Sequence, residues 1–135
     1  MTARGRAVPV HPRTGPEPNG SRVPESADDM AIGHLTPDAD QIEYPEAHEL
    51  LVELPGLAAP DIDVGLTERE VIVAAVKPDP EMTSCTAVAR HLMERRYGAI
   101  QRAFALPPDI DRSAIRASVE DGVLTIVLPK ARRGV

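Results

Sequence analysis

The sequence predicts an antiparallel all-β sandwich over residues 40–130, behind a disordered N-terminal arm over residues 1–39 and ahead of a short tail over residues 131–135. Three observations carry that reading. Several short stretches alternate apolar and polar side chains with a period of two, the pattern of strands with one buried face. Proline- and glycine-containing turns separate those stretches at the spacing of a sandwich. One dipeptide, Asp121-Gly122, is a strong hairpin signal, because a tight I′ turn needs positive φ and glycine supplies it without steric cost.

The arm contains Pro9, Pro12, Pro16, Pro18, Pro24 and Pro37 with Gly5, Gly15, Gly20 and Gly33, and it has no aromatic residue. Without apolar periodicity it buries too little surface to offset its chain entropy. Its one mildly apolar patch, residues 30–35, reads as a transient contact. From Gln41 the texture changes. Leu50, Val52 and Leu54 alternate with Glu49, Leu51 and Glu53 until Pro55-Gly56 stops the strand. Ile62, Val64 and Leu66 alternate with Asp61, Asp63 and Gly65 in a second strand. After a polar turn at residues 67–70, residues 71–76 form an aliphatic run suited to burial on both faces.

Residues 81–95 are ambiguous from propensity alone, since residues 87–95 are good helix formers. Residues 99–106 read as the next strand, ended by Pro107-Pro108. In it Ile100, Arg102, Phe104 and Leu106 share a face, so an arginine stands in an apolar row. A buried guanidinium is tolerated only where carboxylates or carbonyls satisfy its donors. Ile115, Ala117 and Val119 then alternate with Arg116, Ser118 and Glu120. The hairpin turn follows, and residues 123–128 run unbroken to Pro129, as in a strand buried on both faces.

Composition narrows the function. A net charge of −6 argues against nucleic-acid binding, which needs a basic face. No apolar run approaches the roughly 20 residues of a membrane helix, and residues 1–12 lack the apolar stretch of a signal peptide. A single cysteine, Cys85, permits no internal disulfide and fits a reducing, cytoplasmic setting. No glycine-rich phosphate loop appears, so no cofactor is expected. His11, His34, His48 and His91 show no ligand spacing, so no metal is expected. Asp109 and Asp111 read as a solvated loop rather than as an acid/base pair. The chain is not expected to be an enzyme.

Three ordered stretches carry a family resemblance. Ala117-x-x-x-Asp121-Gly122-Val-Leu-Thr-Ile126 resembles the signature of the small heat-shock proteins, the Hsp20 or α-crystallin family. Glu49-Leu-Leu-Val-Glu-Leu-Pro-Gly-Leu57, with Asp61-Ile-Asp-Val64, resembles the family's first half. Glu94-Arg-Arg-Tyr-Gly-Ala-Ile-Gln-Arg-Ala-Phe-Ala-Leu-Pro107 resembles the segment before the signature. The resemblance implies an immunoglobulin-like α-crystallin sandwich and an ATP-independent holdase that binds unfolding client proteins. It further implies a groove for a short apolar peptide, lined by Ile62, Val64 and Leu66 on one strand and by Ile115, Ala117 and Val119 on another. It implies a homodimer in which a loop strand at His91, Leu92 and Met93 is exchanged onto an edge strand near Gln41 and Tyr44, with Arg102 supporting the dimer scaffold. The related CS-like co-chaperone sandwiches, which dock on a folded partner, are the alternative. Two departures bear on assembly: the arm lacks phenylalanine, and no Ile-x-Ile/Val follows Pro129. The expectation is a dimer, or small homo-oligomers, with an open groove.

Overall fold

In the computed structural model, which describes residues 5–13, 34–78 and 86–131, the Asp121-Gly122 dipeptide turns with φ of 52° and 75°. Two consecutive positive φ values are the type I′ combination whose twist matches antiparallel strands. The turn joins β9 (Arg116–Glu120) to β10 (Val123–Pro129). Strand β10 pairs on its other side with β5 (Ala47–Glu53), which in turn pairs with β4 (Ala39–Glu43). The opposing sheet is centred on β7 (Glu70–Lys77), flanked by β6 (Ile62–Leu66) and β8 (Gly98–Ala105). These seven strands form the expected antiparallel body. Its core is aliphatic: Leu50, Val52 and Leu54 meet Leu124, Ile126, Leu128, Val64, Val71 and Val73, all without exposed surface.

Two strands expected to be buried on both faces are only partly so. In β10 the residues between Leu124, Ile126 and Leu128 are half-buried, because the outer face of that sheet meets water. In β7, Val71, Ile72 and Val73 are buried in succession, but Val76 near the strand's end is 61% exposed.

The arm departs from expectation. Residues 5–13 are not without structure: β1 (Arg6–Val8) pairs antiparallel with β9, and β2 (Val10–Pro12) pairs parallel with β6. Pro9 lies between them, so the chain leaves one sheet and enters the other across the seam of the sandwich. Pro12 is tolerated because β2 is an edge strand. On the opposite seam, β3 (His34–Leu35) pairs parallel with β8 before the chain crosses to β4. The two sheets therefore run β1-β9-β10-β5-β4 and β2-β6-β7-β8-β3. Cys85, most of the apolar patch at residues 30–35, and residues 132–135 of the tail lie outside the described residues.

Residues 86–97 form a loop with neither the helix that propensity allowed nor the strand expected at His91, Leu92 and Met93. A strand needs a ladder partner, and among the described residues no strand of the same chain offers one there. Among the described residues no helix is long and apolar enough to cross a membrane.

Candidate functional site

The expected groove residues lie on β6 and at β9, the strands bordering one seam. Ile62, Val64, Ala117 and Val119 are buried, and Leu66 and Ile115 are half-buried against the same cluster. The seam is not open. Val8 lies in register with Ala117, and Val10 in register with Val64. Val8 is 3% exposed and belongs to the core cluster, while Val10 packs on it half-buried. The expectation of an empty groove is thus corrected: the chain's own Val8-Pro9-Val10 fills it.

The physical reason lies in the tether. A detached segment burying two valines gains about 1.5 kcal/mol from each, and its backbone ladders add to that, so against the translational and rotational freedom it loses it binds only weakly. A covalently attached one starts from a millimolar effective concentration. Backbone ladders to both strands add direction, as in β-augmentation. Two glycines make room. Gly5 has φ of +118°, and a Cβ there would lie 2.8 Å from the Val119 carbonyl oxygen. At Gly65 a Cβ would come within 3.2 Å of the Arg13 side chain, which lies across β6.

Polar contacts fasten the segment beyond Val10. Arg13 N–H donates to the Leu66 carbonyl at 2.6 Å. The His11 ring pairs through Nε2 with Asp63 Oδ1 at 2.5 Å, and its Nδ1 lies 3.2 Å from the Pro12 carbonyl. The Asp63 hydrogen bond, then the Pro12 carbonyl, raise the His11 pKa above its ordinary value.

Arg102 is half-buried, as its place between Ile100 and Phe104 suggested. Its partner is a backbone carbonyl: Nη1 donates to Pro37 O at 2.8 Å, and the guanidinium lies 5.1 Å from the Phe104 ring centroid. Within one chain it therefore ties β8 to the β3–β4 crossover. Arg102→Ala is expected to lower stability by about 1–2 kcal/mol through that lost charge-assisted bond and to speed amide exchange over residues 37–43. Unchanged exchange there would show that the crossover does not depend on Arg102. Sedimentation of the same variant tests the scaffold role in a dimer.

The residues expected at the exchange interface are all on the surface. Tyr44 follows β4 and is exposed, and His91, Leu92 and Met93 are exposed in the loop, with Leu92 at 77%.

A cluster that sequence spacing did not suggest forms around His48. Its ring is buried in β5, and Nε2 pairs with Asp109 Oδ1 at 3.1 Å. Glu43 of β4 completes a group whose potential ligand atoms lie within 4.8 Å of one another. Lys130 already brings a positive charge, its Nζ donating to Glu43 Oε2 at 2.7 Å. The Lys130 hydrogen bond lowers the Glu43 pKa and the His48 hydrogen bond lowers that of Asp109, so both carboxylates are ionised at neutral pH. Asp109 thus fastens a loop to β5 rather than standing free in water. Asp111 caps the short turn at Arg112–Ala114, accepting from Ser113 N at 3.1 Å and Ser113 Oγ at 2.6 Å.

A family model described as Hsp20/alpha crystallin family matches residues 40–135. The chain is 36% identical over 92 residues to a 17.7 kDa class II heat shock protein of Arabidopsis thaliana, covering 68% of this chain and 59% of that protein. It is 35% identical over 101 residues to small heat shock protein C2 of Rickettsia felis, covering 75% and 64% respectively. The chain thus spans about three fifths of the length of these two relatives. Among solved structures, heat shock protein 16.0 of Schizosaccharomyces pombe superposes with a TM-score of 0.69 at 28% identity, over 76% of this chain and 72% of that one. A small heat-shock protein of Xylella fastidiosa gives 0.66 at 32% identity, over 73% and 89%.

Proposed function

The chain belongs to the Hsp20/alpha crystallin family, and from that premise we propose that it is an ATP-independent holdase whose client groove is the seam between β6 and β9. The observation that carries this reading is the seated Val8-Pro9-Val10 segment, with its valines opposite Ala117 and Val64. It supports a seam that takes an extended backbone with aliphatic side chains two residues apart. Unfolding proteins expose segments of that kind, and apolar surface with free ladder groups holds them without any chemical step. The arm and the client compete for one seam, so capture requires the arm to leave.

The working unit in this proposal is a homodimer, with small assemblies of it. The exposed Leu92 and Met93 loop exchanges onto the β4 edge of a second copy near Tyr44, covering an edge that would otherwise invite aggregation. The relative from Xylella fastidiosa is described as having a distinct high order structure. The cytoplasm is the compartment we assign, a reducing setting that suits a chain with one cysteine.

Light scattering of a heated model client, without ATP, tests the holdase. Suppression at a near-stoichiometric ratio is expected, and it should strengthen when the arm is undocked by Val8→Asp. Aggregation that proceeds unchanged with both proteins would end this reading.

A further inference from the structure

We propose that the β6/β9 groove selects extended segments in which two aliphatic side chains, two residues apart, are followed immediately by a cationic side chain, and that Asp63 is the residue that reads the cation. The proposal rests on the groove being the client site. It adds a charge rule to what would otherwise be an apolar surface.

The chain's own segment shows the arrangement. Val8 and Val10 enter the buried cluster and its margin, and His11, the next residue, turns outward over Gly65. There its ring meets the Asp63 carboxylate at 2.5 Å. Among the described residues, two charged groups act on this ring. Asp63 on β6 favours the imidazolium, and the Arg13 guanidinium on the arm opposes it. The net effect favours the proton, so the docked arm prefers a cation at this position.

The position is set by register rather than by chance contact. Val10 sits opposite Val64 and His11 opposite Gly65, so a side chain following the second aliphatic must cross β6 where that strand carries no Cβ. Asp63 stands two residues earlier on β6, with its side chain half exposed and within reach. A longer cation such as lysine reaches the same carboxylate, and an acidic residue there would meet like charge.

The sign with pH follows. The raised His11 pKa means the histidine contact is fully present below the ordinary imidazole value and is lost as pH rises through the raised one. Lysine keeps its charge across that range.

The test uses the full chain carrying Val8→Asp, so that the arm leaves the groove, and a labelled peptide of residues 6–13 in four forms: native, His11→Lys, His11→Ala and His11→Glu. At pH 6 and low salt the native and lysine peptides should bind about five-fold tighter than the alanine peptide, the ceiling for a half-exposed pair, with glutamate weakest. As the pH is raised, the native peptide should fall toward the alanine level while lysine keeps its advantage. Adding Asp63→Asn to the protein should erase the ranking without moving the denaturant midpoint, because Asp63 is exposed. Equal binding of all four peptides, or a ranking that survives Asp63→Asn, overturns the charge rule and leaves the groove standing. No binding of any peptide up to millimolar concentration, with client suppression intact, overturns the groove reading and this proposal with it.

Discussion

Gly122→Val is expected to lower the stability of the sandwich by about 3 kcal/mol, a large share of the 5–15 kcal/mol typical of a domain. Two costs combine. A β-branched residue at a φ of +75° is strained by about 1–3 kcal/mol wherever it stands. Here its Cβ would also come within 3.1 Å of the Pro55 Cα, part of a neighbouring turn that cannot swing aside. The Gly122 carbonyl accepts from Leu54 N–H at 2.7 Å, so a shift of the turn would loosen a fully buried leucine as well. Gly122→Asn separates the two costs, since asparagine tolerates the left-handed region but still carries a Cβ. A denaturant midpoint that valine leaves unchanged would mean that this hairpin does not hold the two turns together.

The second large effect is at the other end of the chain. Val8→Asp places a carboxylate where the side chain is 3% exposed beside Ile62, Val64, Ala117 and Val119. An unpaired charge is not kept in such a place, so the arm is expected to undock while the seven-strand body, whose ladders do not involve β1 or β2, stays folded. Amide exchange at the arm-facing edges of β6 and β9 should accelerate more than tenfold, equivalent to about 1.4 kcal/mol of lost protection. Protection that persists would show that Val8 does not hold the arm.

Most of the body was legible because its strands signal themselves locally, whereas β4 (Ala39–Glu43) entered only through the resemblance as an edge near Gln41 and Tyr44. Leu50, Val52 and Leu54 alternate with polar neighbours, Pro55-Gly56 and Pro107-Pro108 punctuate, and Asp121-Gly122 supplies a turn whose conformation follows from residue type. The arm strands were not legible. Three residues on either side of Pro9 are too few to show a period, and they belong to different sheets, so their conformation comes from the edges they meet. The partners of Arg102 and His48 were hidden for a related reason. Arg102 donates to the carbonyl of Pro37, a group every residue possesses, and His48 meets Asp109 far along the chain. Strands β6 and β9 were visible from alternation, but the segment that pairs with both was not, because Val8-Pro9-Val10 has no property that marks it until β6 and β9 lie side by side. The strand at His91, Leu92 and Met93 belongs by our reading to two chains and cannot form in one.

The pairing of Arg6 with Val119 joins the beginning of the chain to its far end, and that fixes an order of events on the ribosome. The arm is made well before half of its binding seam, β9, has emerged. At ordinary rates of synthesis the interval is on the order of ten seconds. Throughout it Val8 and Val10 have no seam of their own to enter. Any finished copy nearby whose arm has lifted presents a complete one. If the groove binds extended aliphatic segments as proposed, the arm of a nascent chain is for that interval a ligand for finished copies of the same protein.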